Sequence, residues 1–92
     1  MSVREIIGRL TEAKAKLSAA QQAAGNAATQ IGQAEESVKR ALDGAAANAL
    51  VTQIEVHKQA ILDGMKSIEP LKAEIDKAIQ QAQAIGRGPG SR

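Results

Sequence analysis

The chain has 92 residues, a net charge of +2, one histidine, and neither cysteine nor aromatic residues. Disulfides and a zinc site built from this chain are therefore excluded. The side chains that usually anchor ligand pockets, binding hot spots and base stacking are also missing. The apolar residues, 43% of the chain, include 19 alanines and are accompanied by many Gln, Glu and Lys residues. This composition is typical of long helices and predicts an all-α protein.

The charges are scattered, which argues against nucleic-acid binding. The first residues lack the apolar run of a cleaved signal peptide. The longest uncharged stretch, residues 17–34, contains too many polar side chains to insert into a membrane. We therefore expect a protein that is cytoplasmic, or secreted without a cleaved signal peptide.

A first helix is predicted over residues 3–43. Apolar or small residues recur in alternating steps of three and four residues, which is the heptad pattern of a coiled coil. Its predicted contact line, here called the seam, comprises Val3, Ile6, Leu10, Ala13, Leu17, Ala20, Ala24, Ala27, Ile31, Ala34, Val38 and Ala41.

A turn is predicted over residues 43–47, directly after Leu42. Gly44 can adopt the left-handed conformation that ends a helix, and Asp43 or Asn48 can cap the next helix. The chain is therefore expected to reverse direction here.

A second helix is predicted over residues 48–85, with a kink near Pro70 and, as the lesser possibility, a split capped by Ser67. The remaining residues, 87–92, contain no apolar side chain and are expected to be disordered. The second seam is predicted to comprise Ala47, Leu50, Ile54, His57, Ile61, Gly64, Ile68, Leu71, Ile75, Ala78, Ala82 and Ile85.

The two seams predict an antiparallel coiled-coil hairpin. The preferred register places Ala27 opposite Ile61 and sets large residues against small ones, whereas a register slipped by one heptad also satisfies the periodicity. Gly64, opposite Ala24 and next to Gly25, is expected to allow close approach of the backbones, the alternative being a merely tolerated glycine.

A second apolar stripe lies outside these seams. A helix that is apolar on more than one face is normally covered by a partner, so we expect two hairpins to form a four-helix bundle. The predicted association surface comprises Ile7, Leu42, Val51, Leu62, Met65 and Ile79.

No constellation of catalytic or metal-binding residues is predicted. His57 is interpreted as a partly buried structural residue, with pH-sensitive association as the alternative. Glu35 and Glu36 point about 100° apart on a helix and are assigned to a solvated face. The serines have no neighbouring base. The sequence therefore predicts no enzyme, cofactor, metal or small-molecule substrate.

This outline resembles the WXG-type small proteins of type VII secretion, the early-secreted-antigen family of actinobacteria and related bacteria. Their turn carries Trp-x-Gly, where this chain has Leu42-Asp43-Gly44, so the glycine and spacing match but the tryptophan is absent. The family's Tyr-x-x-x-Asp/Glu export signal has no counterpart at residues 85–88. The resemblance implies a homo- or heterodimeric four-helix bundle that would need a partner's signal for export.

The expected function is thus association with a second copy or a related helical hairpin, as a small protein of type VII secretion. The alternative is a cytoplasmic structural or adaptor subunit of a helical assembly.

Overall fold

A computed structural model describes residues 2–86 of the chain. Helix α1 spans Val3–Ala41 and helix α2 spans Gly44–Gly86. These described residues contain no strand, so the prediction of an all-α helical hairpin is confirmed. The expected disorder of residues 87–92 concerns residues outside the described range.

The start of α1 is fixed by a serine N-cap. The Ser2 hydroxyl accepts a hydrogen bond of 3.1 Å from the Glu5 backbone N–H, and it donates one of 3.3 Å to Glu5 Oε1. The first bond satisfies a backbone donor that has no partner within the helix. The Ser2 cap therefore explains why helical structure begins at Val3.

The turn is shorter than expected, because only Leu42 and Asp43 separate the helices. Gly44 has the predicted left-handed conformation, with φ of 68°, and α2 begins at this residue. The expected turn over 43–47 is therefore wrong, and Asn48 lies inside the helix instead of capping it. Three alanines follow Gly44, and their high helix propensity favours immediate continuation of the helix.

Helix α2 continues through Pro70, whose side chain is exposed. The lesser possibility, a split into two helices at this position, is therefore wrong. Whether the helix bends before Pro70 stays a prediction.

The chain divides into two compact units, each containing a segment of both helices. We call Gln21–Lys66 the turn unit, and the described residues 2–20 with 67–86 the terminal unit. Within the terminal unit, Lys14 Nζ lies 2.7 Å from Asp76 Oδ1. At the end of α2, a Cβ added to Gly86 would lie 3.2 Å from Val3 Cγ1.

Within the turn unit, the same antiparallel pairing brings α1 against α2. Gln21 Nε2 donates a hydrogen bond of 3.4 Å to the Met65 carbonyl oxygen. A Cβ added to Gly25 would lie 3.7 Å from Met65 Sδ. These contacts belong to the preferred heptad register, and the slipped register is therefore wrong.

Half of the predicted seam is displaced by one residue. The positions that recur every seven residues from Val3 and from Ala47 are at least partly buried, as predicted. Most of the alternate positions are exposed, including Ile6, Leu50, Leu71 and Ile85. The exceptions are Ala13, Ala27 and Ala78, which are half-buried. The buried or half-buried residues in their place are Ile7, Lys14, Gln21, Ala28 and Glu35 in α1, and Val51, Lys58, Met65, Lys72, Ile79 and Gly86 in α2.

The prediction is displaced because it excluded long polar side chains from the seam. The predicted seam admitted His57 but otherwise only apolar or small residues, whereas long polar side chains can bury their methylene groups and keep the polar end at the edge of a helix pair. Lys14 does this, since its half-exposed side chain still reaches Asp76. Alternating large and small layers therefore account for only part of the packing.

The buried core is small. Among the described residues the buried apolar side chains are Ala28, Ala47 and Ala82, and no large side chain is fully buried. Since an alanine contributes on the order of 0.8 kcal/mol per buried methyl, each helix pair gains little from its own seam. The larger apolar side chains remain at least partly in contact with water.

The register predicts which engineered cysteines will form a disulfide. Cysteines replacing Ala28 and Ile61 should crosslink under mild oxidation, because the observed contacts place these positions on facing sides of the seam. The control pair replaces Ala34 and Ile61, which face each other only in the slipped register. Faster crosslinking of the control pair, measured by electrophoresis without reductant at low protein concentration, would contradict the register.

Candidate association surface

The charged residues of the turn unit lie on one side of its two helices. Lys58 Nζ approaches Glu35 Oε2 to 3.9 Å, and a Cβ added to Gly32 would lie 4.0 Å from the same Lys58 nitrogen. Helical geometry places the remaining charged residues of these segments either on this side or on the outer surface of each helix, away from the other helix. The opposite side of both segments therefore carries no formal charge.

This opposite side is the candidate functional site, and we call it the charge-free face. Its positions in each helix alternate by three and four residues, so they form one continuous strip along each segment of the turn unit. The face comprises Ala23, Ala27, Gln30, Ala34, Ser37 and Ala41 of α1, and Ala46, Leu50, Gln53, His57, Ala60 and Gly64 of α2.

The charge-free face is open to solvent. Apart from Ala27, which is half-buried, all its residues are exposed, and Leu50 retains 38% of its accessible surface. The Ser37 hydroxyl already donates a hydrogen bond to the Gln33 carbonyl of its own helix. A Cβ added at Gly64 would meet nothing within 4 Å. The expected close backbone approach at Gly64 is therefore not found inside the hairpin.

Equivalent positions of the terminal unit are different. Arg9 and Lys16 occupy them in α1, and Glu74 occupies one in α2. Exposed apolar residues are present as well, namely Ile6, Leu71 and Ile85. The absence of charge at these positions is therefore specific to the turn unit and is not shared by the terminal unit.

The association surface predicted from the sequence falls mostly elsewhere. Leu42 is 41% exposed and lies in the connection between the helices. The other predicted residues are half-buried, and Met65 contacts the Gly25 region of α1. The prediction assumed that these residues lie outside the contact between the two helices, and their burial contradicts this assumption. The residues are Ile7, Val51, Leu62, Met65 and Ile79. That they also meet a partner stays a prediction.

His57 is exposed and belongs to the charge-free face. Its expected place in the seam is wrong, because the neighbouring Lys58 occupies that position.

Glu35 is buried, so its assignment to a solvated face is wrong. Its side chain retains 7% of its accessible surface, whereas that of Glu36 retains 62%. A hydrogen bond with Glu55, followed by burial and the negative charge of Glu55, raises the pKa of Glu35. Lys39 and Lys58 act in the opposite direction.

No group of three or more His, Cys, Asp or Glu side chains within residues 2–86 is arranged to hold a metal ion. A shallow depression of about 530 Å³ in the terminal unit is lined by Val3, Arg4, Ile7, Gln83 and Gly86, and it lacks an acid–base pair. Over the same part of the chain, neither helix is apolar enough to cross a membrane.

Sequence comparison assigns this two-helix chain to a protein family. Residues 1–87 match the family described as a family of unknown function, DUF6244. Because the match covers nearly the whole chain, the protein belongs to this family. No curated protein and no solved structure gives a significant match.

The exposure of His57 predicts a small effect on folding. Replacing His57 with Leu should change the free energy of unfolding by less than about 0.5 kcal/mol, because the side chain is exposed. The control, Ile61→Ala, removes seam contacts and should cost about 2 kcal/mol. Urea unfolding of the monomer, followed by circular dichroism, tests this comparison. A loss with His57→Leu that equals the loss with Ile61→Ala would show that His57 belongs to the seam.

Proposed function

We propose that this protein acts by association instead of catalysis, with the charge-free face of the turn unit packing on the same face of a second copy. The resulting dimer would be a four-helix bundle. The observation that carries the proposal is the segregation of charge, which leaves one exposed side of two neighbouring helix segments uncharged. Its alanines and Leu50 are exposed apolar residues, and exposed apolar patches often mark association sites.

The composition of the face favours a second copy as the partner. Two such faces bring together no like charges and leave no charge without a counterion. Alanine and Gly64 allow helix backbones to approach closely, and Leu50 supplies apolar area. An association surface that matches itself in this way is what a two-fold symmetric dimer requires.

For the biological setting we propose a secretion-associated role, on the resemblance to the WXG-type hairpins. Two features support it, the two-helix outline and Gly44 at the turn. The missing tryptophan and tyrosine favour the alternative, a cytoplasmic adaptor subunit. Detecting the untagged protein in the culture medium of intact native cells supports secretion, and finding it only in the lysate supports the adaptor.

A lysine on the charge-free face should prevent association. Ala34→Lys buries an unpaired charge in each copy and should raise the dimer dissociation constant at least about tenfold, a cost of about 1.4 kcal/mol. Ala49→Lys is the control, because Ala49 is another exposed alanine of the turn unit and is not part of this face. Size-exclusion chromatography with light scattering and refractive-index detection suits a chain without aromatic residues.

The two variants separate the possible outcomes. Dissociation by Ala34→Lys but not by Ala49→Lys supports the proposed face. Equal effects of both variants contradict it, since another surface would then hold the copies together. A wild-type chain that stays monomeric contradicts the homodimer.

A further inference from the structure

The terminal unit carries an apolar strip beside its seam that is largely open to solvent. Ile85 keeps 71% of its accessible surface, Leu71 keeps 53% and Ile6 keeps 36%. Together with three alanines, two of them half-buried, these residues recur every seven residues along their helices. Exposed apolar patches often mark association sites. We call this set the terminal strip, and it comprises Ile6, Ala13 and Ala20 of α1 and Leu71, Ala78 and Ile85 of α2.

Charged residues of opposite sign flank the terminal strip. Arg9 and Lys16 follow its outer edge in α1, whereas Glu74 lies on its outer edge in α2. Lys16 Nζ lies 3.5 Å from Glu12 Oε1 of the same helix, and the two side chains are exposed. Glu74 Oε1 lies 3.4 Å from Lys77 Nζ, again within one helix and exposed. Exposed pairs of this kind contribute little to stability, so Lys16 and Glu74 can exchange them for a partner's charges.

Lys16 and Glu74 lie at the same level of the helix pair. The level is set by Lys14 Nζ, which contacts Asp76 Oδ1 at 2.7 Å on the side of the terminal unit away from the strip. Antiparallel helices rise equally, by about 1.5 Å per residue, so two residues forward in α1 match two residues back in α2. The terminal strip therefore has a positive charge on one edge and a negative charge directly across from it.

We propose that the terminal strip packs on the same strip of a second copy, with each α1 against the partner's α2 and each Lys16 paired with the partner's Glu74. The proposal rests on the proposed function in taking a second copy as the partner. It adds a different surface, in the terminal unit, and it fixes the orientation of the two chains.

Two-fold symmetry and charge support this orientation. Rotation by half a turn about an axis parallel to the helices lays α1 of one copy on α2 of the other at the same level. The positive edge of each copy then meets the negative edge of its partner. If α1 lay on the partner's α1 instead, Arg9 and Lys16 would face the same two cations, which opposes association. Charges that flank an apolar contact line select helix orientation in coiled coils in the same way.

Reversal of single charges tests the orientation in the full-length chain. Lys16→Glu places a glutamate against the partner's Glu74 in both symmetric contacts, so it should raise the dimer dissociation constant at least about fivefold in low salt. Glu74→Lys should weaken the dimer similarly. The chain with both substitutions has its pairs reversed, and its dissociation constant should return to within about twofold of the wild-type value. Sedimentation equilibrium with interference optics measures all four chains.

Lys77→Glu is the matched control. It makes the same change in net charge as Lys16→Glu, and Lys77 also neighbours Glu74, but helical geometry directs its side chain away from the terminal strip. Its dissociation constant should stay within about twofold of the wild-type value.

Cysteine pairs give a second measurement that does not depend on charge. The chain with Lys16→Cys and Glu74→Cys should form a disulfide-linked dimer under mild oxidation, and faster than the chain with Lys16→Cys and Lys77→Cys. Slower crosslinking of the first pair overturns the proposal, even if a charge-reversed chain does not fold.

The charge variants separate this proposal from the proposed function. Weakening by each reversal, with recovery in the double variant, supports the orientation. A dimer that tightens with Lys16→Glu overturns it, since α1 would then lie on the partner's α1. Equal dimerisation of all charge variants also overturns it, and if Ala34→Lys still dissociates that dimer, the proposed function stands. A wild-type chain that stays monomeric overturns both.

Discussion

The structure depends on a helix seam with little apolar volume. Among the described residues its buried apolar side chains are alanines, and lysine, glutamine and glutamate occupy positions where a stronger coiled coil would carry leucine or isoleucine. A pair of helices joined in this way gains little from burial within itself. The remaining apolar surface and the placement of charge therefore decide how the protein behaves, and both favour association.

The charged side chains and the charge-free face occupy different sides of the turn unit. Glu35 and Lys58 lie together where the helices meet on one side, whereas the other side carries alanines, Leu50 and Gly64. A partner could therefore cover the uncharged side without any charge losing its water.

The sequence predicts the helical hairpin correctly because the heptad spacing is strong and Gly44 fits the reversal of the chain. It predicts the position of the seam only in part. Periodicity alone cannot distinguish two neighbouring positions when one carries alanine and the other a long polar side chain, because each is compatible with a helix interface. Lys14 and Glu35 were therefore missed, and His57 and Leu50 were wrongly placed in the seam. The charge-free face could be found only after these assignments were corrected, since half of its residues were first assigned to the seam, namely Ala27, Ala34, Ala41, Leu50, His57 and Gly64.

Sedimentation equilibrium of the unmodified full-length chain tests the central claim most directly. Interference optics are needed because the chain has no aromatic residues. The account predicts that the mass approaches twice 9.6 kDa at micromolar concentration and falls toward 9.6 kDa on dilution. A helical chain that retains a mass of 9.6 kDa at every concentration would contradict it.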